Sequence, residues 1–222
     1  MAGHGKHEAV LIDVDGTLLD SNGAHALAWT RAFRRYGYDV DFERVRRLIG
    51  MGGDKILKAI DPKLDDEGEP GKSISELRGR IFLDRYVSSL PPTPGARALL
   101  VHLGSAGFKR IVATSAKRQE LDALLKTAGV ADQIDTAVTS DDAQRSKPDT
   151  DILESALQRG RVGRDRAVYL GDTPYDVEAA RRAEVCCIAL RCGGWDDRDL
   201  ANADATYDNP ADLLAHIEDS PL

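Results

Sequence analysis

Cysteine is scarce in this chain of 222 residues: there are three, Cys186, Cys187 and Cys192, close together in sequence. An odd number without a framework spacing excludes a disulfide-stapled scaffold, and the spacing matches no zinc-ligand pattern. These thiols read as small apolar fillers near the end of a buried strand, in a reducing, cytoplasmic setting. Basic charge is also in short supply. Lys and Arg number 30 against 37 Asp and Glu, a net charge of −7. That balance excludes a general nucleic-acid binder and a partner of anionic membranes, both of which need a basic face. One local cluster, Arg44, Arg46 and Arg47, remains as a small-anion contact. No apolar run approaches the roughly 20 residues that span a bilayer. The opening Met-Ala-Gly-His-Gly-Lys-His has no apolar core, so no secretory signal is expected.

What is present is enough apolar residue, 42% of the chain, for one α/β domain with a smaller lobe. From position 95 onward the pattern alternates. Helices are predicted near 95–106, 118–128, 149–160 and 174–183, and strands at 109–114, 136–139, 166–171 and 185–190. A weaker strand and helix fall within 204–218. Units of this length imply right-handed crossovers and a Rossmann-like, mostly parallel sheet with helices on both faces. Ala9-Val10-Leu11-Ile12 reads as a further strand, expected inside that sheet. Residues 20–90 carry no convincing strand. Leu27, Trp29, Phe33 and Tyr36 recur at helical spacing, as do Ile74, Leu77, Ile81 and Tyr86; Trp29, Phe33 and Tyr36 are expected in that lobe's core. The two shorter amphipathic pieces, 42–49 and 54–60, complete an all-helical insertion, with 65–71 as an exposed loop. Pro91-Pro92-Thr93-Pro94-Gly95 marks the return to the sheet. The domains are therefore 1–19 with 91–222, and 20–90.

The first strand ends in Asp13-Val14-Asp15-Gly16-Thr17. Two carboxylates two positions apart on a strand end point the same way, and burying them needs a cation. The Gly-Thr turn leaves backbone amides free to face an anion. Paired acids, a divalent cation and an anion-receptive turn point to phosphoryl chemistry with one Asp as nucleophile. Three later strand ends add Thr114-Ser115, Lys147-Pro148 and Gly171-Asp172-Thr173-Pro174-Tyr175-Asp176. In an open parallel sheet such ends converge beyond the carboxyl edge, where ligands bind. The chemistry is coherent: a carboxylate attacks a phosphate dianion only when cations neutralise the repulsion, and a covalent intermediate splits the hydrolysis into two displacements.

This ordered set resembles the haloacid dehalogenase-like hydrolase superfamily, over essentially the whole chain, with Asp-Val-Asp-Gly-Thr as its most specific part. The resemblance implies Asp13 as nucleophile, Asp15 as general acid and base, and Thr114, with Ser115 as the competing alignment, bonding the phosphoryl oxygens. It implies Lys147 holding nucleophile and phosphate in register. Mg²⁺ would be held by Asp13, Asp15 and Asp172, with Asp176 in support. Crowding and burial should raise the pKa of Asp15. Dehalogenase members usually lack the second acid, so Asp15 favours a phosphatase acting on a small phosphate monoester, similar to phosphoglycolate phosphatases. The alternative is a β-phosphoglucomutase-like sugar-phosphate mutase, although those tend to carry Glu-Asp where this chain has Gly171-Asp172. Relatives also often have a second proline where this chain has Thr150. The helical insertion resembles a type 1 cap whose first helix starts with Ser21 or Asn22 as N-cap. Within it, Arg47, Gly50 and Lys55 are substrate-contact candidates, and His25 is another because mutases of this group carry a His near the catalytic acid. The expected partner is a small phosphorylated metabolite. No apolar stripe is left unexplained, so the sequence leaves the oligomeric state open between monomer and homodimer.

Overall fold

The structure, a computed structural model, describes residues 7–222. The opening segment read for a signal therefore lies, but for His7, outside the described residues. Six strands form one sheet: β1 (Ala9–Ile12), β2 (Lys109–Ala113), β3 (Thr136–Val138), β4 (Ala167–Gly171), β5 (Cys186–Leu190) and β6 (Ala205–Tyr207). All neighbours run parallel in the order β3-β2-β1-β4-β5-β6, so β1 sits inside, between β2 and β4. Alternation along β1 sends Val10 and Ile12 into one apolar cluster and Ala9 and Leu11 into another. A sheet with both faces buried reads as a continuous apolar run, which is why Ala-Val-Leu-Ile carries no polar residue.

Helices cover both faces: α5 (Ala96–Ser105), α6 (Arg118–Thr127), α7 (Asp151–Gly160), α8 (Pro174–Ala183) and α9 (Pro210–Ala215). Four more stand between β1 and β2, namely α1 (Asn22–Arg35), α2 (Phe42–Arg46), α3 (Gly53–Ile60) and α4 (Gly71–Arg85). They build an apolar cluster of their own around Trp29, Phe33, Ile56, Leu57 and Ile74. Ala24, Ala28 and Phe82 of the same helices pack instead against the sheet's core. Two expectations fail here. Leu27 and Tyr36 are each 40% exposed. Leu27 lies about 200° around the helix from Trp29, on its opposite side, and Tyr36 follows the helix end. Cys187 is a buried strand residue, but Cys192 lies beyond β5, where its thiol donates to the Gly16 carbonyl at 3.2 Å.

Candidate active site

The ends of β1, β2 and β4 deliver Asp13, Thr114 and Asp172 to the carboxyl edge of the sheet, and ladder bonds continue past the first two strands. Asp13 N–H donates to Leu170 O at 2.9 Å and Thr114 N–H to Val138 O at 3.1 Å. Lys147 enters from the β3–α7 connection, fully buried. Its Nζ stands 2.5 Å from Asp13 Oδ1 and 2.9 Å from Asp176 Oδ1. Asp176 is fixed by helix capping: Thr173 opens α8, donates from both its N–H and its hydroxyl to Asp176 Oδ2, and accepts from Asp176 N–H. Tyr169 donates to the other oxygen at 2.6 Å. Asp172 accepts from Thr17 at 3.0 Å and Asn22 at 2.7 Å. Glycine makes room for it: a Cβ at Gly16, whose φ is +81°, or at Gly193 would overlap the Asp172 carboxylate.

Charge is unbalanced in this cluster. Oxygens of Asp13, Asp172 and Asp176 all lie within 4.8 Å of one another. Burial, opposed by Lys147, pushes the Asp13 carboxyl up; burial also holds Asp172 well above the carboxylate range, with Asp176 and Asp13 adding to it. Asp176 goes the other way, because Lys147 and its hydrogen bonds outweigh burial. Three buried carboxylates on one ammonium are a net negative site of hard oxygen donors, which fits a divalent cation such as Mg²⁺.

Asp15 is turned away from that cluster. Its Oδ1 accepts from Ser21 at 2.5 Å and from His25 Nε2 at 2.8 Å. Burial alone would raise its pKa, but the His25 charge and the bonds from His25 and Ser21 hold it below the ordinary carboxylate value. The expectation of a raised pKa is therefore corrected: the acids that would crowd Asp15 are bound to other partners. Ser21 does stand at the N-cap of α1, yet its hydroxyl makes no cap bond because Asp15 takes it. His25 is further fixed by stacking on Phe82, with ring centroids 3.8 Å apart.

A cavity of about 50 Å³, room for a few waters, lies between the sheet edge and α1–α4. Asp13, Asp15, Thr114 and Ser115 line its sheet side, and His25, Trp29 and Gly50 its helical side. Gly50, at φ +111°, and Gly52 let the helical segment approach Thr173 and Ser146 closely, since a Cβ at either would collide there. Arg47 and Lys55 are not brought to the cavity. Arg47 pairs with Asp199 at 3.2 Å and lies over Trp195; Lys55 bonds Asp149 and the Ser146 carbonyl, both at 2.6 Å. Sequence reasoning missed Thr17 and Asn22, which hold Asp172, and the buried pair Arg78–Glu120 in the cavity wall. Thr17 lay in plain view within the first motif. Arg78 had a signal too, a cation at helical spacing between Ile74 and Phe82.

The family pattern described as haloacid dehalogenase-like hydrolase matches residues 10–190. The validoxylamine A 7'-phosphate phosphatase of Streptomyces hygroscopicus subsp. limoneus is 29% identical over 201 residues, 89% of this chain and 92% of that one. The phosphoglycolate phosphatase of Nitrosococcus oceani is 30% identical over 201 residues, covering 86% and 88%. Among solved structures, a hydrolase from Pseudomonas syringae is 30% identical with a TM-score of 0.89, covering 96% of this chain and 99% of that one. With its four strand-end motifs gathered on one sheet edge and this likeness along nearly its whole length, the chain belongs to the haloacid dehalogenase-like hydrolase family.

Proposed function

We propose that this protein is a Mg²⁺-dependent phosphatase that hydrolyses a small phosphate monoester through an aspartyl-phosphate on Asp13. The observation that carries this reading is the buried Asp13–Lys147–Asp176 chain beside Asp172, opening on the same cavity as Asp15. The cation held by Asp13 and Asp172, with Asp176 behind them, would neutralise the phosphate and lower the repulsion against attack. Lys147 keeps the Asp13 carboxylate aimed into the cavity. The Thr114 hydroxyl, at the end of β2, meets a phosphoryl oxygen, and Ser115 beside it is the alternative donor.

Asp13 Oδ attacks phosphorus as the bond to the leaving oxygen breaks. Asp15 supplies the proton to that oxygen. In the free enzyme Asp15 is held ionised; an arriving phosphate dianion raises its proton affinity, so that it takes a proton from solvent, gives it to the leaving oxygen, and, ionised again, takes one from the water that attacks the aspartyl-phosphate at phosphorus and frees the Asp13 carboxylate. Residues 20–90 act as the cap, and the cavity beneath them is small, so that closure over a bound phosphate would leave little room for bulk water. The mutase alternative is disfavoured by Gly171, which stands where mutases of this group tend to carry Glu; a Cβ there would lie 2.5 Å from that of Asp176 and would need a local shift. The similar proteins nominate phosphoglycolate and validoxylamine A 7'-phosphate as kinds of substrate.

The test is release of inorganic phosphate from p-nitrophenyl phosphate. Wild type with Mg²⁺ should turn it over, EDTA should stop it, and Asp13→Asn should lose at least about a thousandfold in kcat while keeping its circular dichroism. Asp15→Asn should lose about a hundredfold or more. Turnover retained in Asp13→Asn would refute the nucleophile.

A further inference from the structure

Asn22, the first residue of α1, is buried against Asp172, 150 positions away in sequence. Its Nδ2 donates to Asp172 Oδ2 at 2.7 Å and to the Gly193 carbonyl at 3.3 Å. Its Oδ1 is buried without a partner. Turning the amide over does not cure this, because the oxygen would then face a carboxylate and a carbonyl, two acceptors with no proton between them. The neighbours therefore fix the nitrogen on Asp172 and leave the oxygen as the orphan. Among the described residues, Ser75 Oγ, Arg78 Nε, Tyr86 OH and Trp195 Nε1 are also buried and unpartnered, but each of these can donate. Asn22 Oδ1 can only accept, and it is the one that lies beside the carboxylate cluster.

We propose, resting on the Mg²⁺-dependent phosphatase reading, that Asn22 belongs to the cation site: its nitrogen aims the Asp172 carboxylate, and its oxygen accepts a hydrogen bond from a water of the cation's hydration shell. Mg²⁺ gives up its waters reluctantly and keeps several of them even where carboxylates hold it, and the protons of those waters need acceptors. The carboxylates of the cluster are largely committed. Asp176 accepts from Thr173, Tyr169 and Lys147, Asp13 Oδ1 from Lys147, and Asp172 from Thr17 and Asn22 itself. An uncommitted amide oxygen supplies the missing acceptor. Being neutral, it does so without adding a further negative charge to three buried carboxylates that share one ammonium. Groups that orient a metal's ligands in this way govern affinity although they do not touch the ion. Since α1 opens the helical segment and Asp172 follows β4, the cation would be held from both domains.

The test is Mg²⁺ binding to the free protein by isothermal titration calorimetry, without substrate, so that it reads the site and not turnover. Asn22→Ala removes both contacts and should weaken Mg²⁺ binding by about tenfold or more. Asn22→Asp keeps an oxygen for the cation's waters but sets two carboxylates against each other when no cation is present. It should bind Mg²⁺ at least as tightly as the wild type, and should melt at a lower temperature in EDTA, with Mg²⁺ restoring the loss. An affinity in Asn22→Ala within about twofold of the wild type overturns the inference, because an ordinary buried water then fills the place. Binding by Asn22→Asp as weak as that of Asn22→Ala overturns it too, since only the grip on Asp172 would then matter. Should Asn22→Ala fail to fold, Asn22→Asp decides alone. In each of these cases a wild type that binds Mg²⁺ leaves the phosphatase reading standing; a wild type that binds none overturns the magnesium part of that reading and this inference with it.

Discussion

The carboxyl edge of the sheet and the helical segment above it use charge in opposite ways. At the sheet edge, Asp172, Asp176 and Lys147 are each no more than 1% exposed and held by several partners from distant parts of the chain. In the helical segment most charges work at the rim: the Arg47 side chain is 66% exposed against Asp199, and that of Lys55 25% exposed against Asp149. Buried charges cannot be removed singly without leaving another uncompensated, whereas rim charges exchange with water. The sheet edge is therefore constrained as a unit, and the helical segment is free to vary. The proposed function puts the chemistry in the first and leaves selectivity to the second, and the buried Arg78–Glu120 pair joins the two.

Removing Lys147 should show the largest effect. Lys147→Ala leaves Asp13 and Asp176 facing each other without their ammonium, so it should cost about 3–5 kcal/mol of stability, read as a lower urea midpoint, and nearly all activity. A loss below about 1 kcal/mol would mean that the acids simply take up protons, and the contrast between the regions would weaken.

His25 tests the boundary. It belongs to the helical segment, yet with Ser21 and Asn22 in the first turn of α1 it holds the acids of the sheet edge. His25→Ala should lower kcat by about tenfold while leaving stability within about 1–2 kcal/mol, measured by steady-state kinetics and urea unfolding. An unchanged kcat would return His25 to packing against Phe82 alone.

The same division governs how far the sequence could be read. Strand spacing placed β1 to β5 to within a residue, because buried parallel strands are forced into apolar runs; β4, expected at 166–171, spans Ala167–Gly171, whereas the half-exposed β6 was read only as a weak strand somewhere in 204–218. Asp13, Lys147 and Asp172 were legible because strand ends of a parallel sheet must meet. The direction of the Asp15 shift was not, since it depends on which neighbours Ser21 and His25 choose in three dimensions. Nor was Arg78–Glu120, whose partners stand 42 positions apart on helices with no shared motif. Arg47 and Lys55 stood out as cations near glycines, but the acids that claim them, Asp199 and Asp149, are distant in sequence.

The smallest expected effect separates burial from region. Asp142, on the sheet side, accepts from Arg159, Arg118 and Thr139, with both arginines more than two-fifths exposed. Though burial works against it, these partners hold its carboxyl down at about 2, against 3.8 for an unperturbed Asp. The folded state thus binds this proton less tightly than the unfolded one. Its contribution is complete above pH 3.8 and disappears as the pH falls through about 2. Because the arginines are wet, the gain should be roughly 1 kcal/mol. Asp142→Asn should lower the urea midpoint slightly at pH 7 and hardly at all near pH 2. If it proves as damaging as Lys147→Ala, membership of the sheet domain sets the cost; if it stays small, burial does, and the buried pair that joins the two regions, Arg78 of α4 and Glu120 of α6, should then be as intolerant of single substitution as the sheet edge.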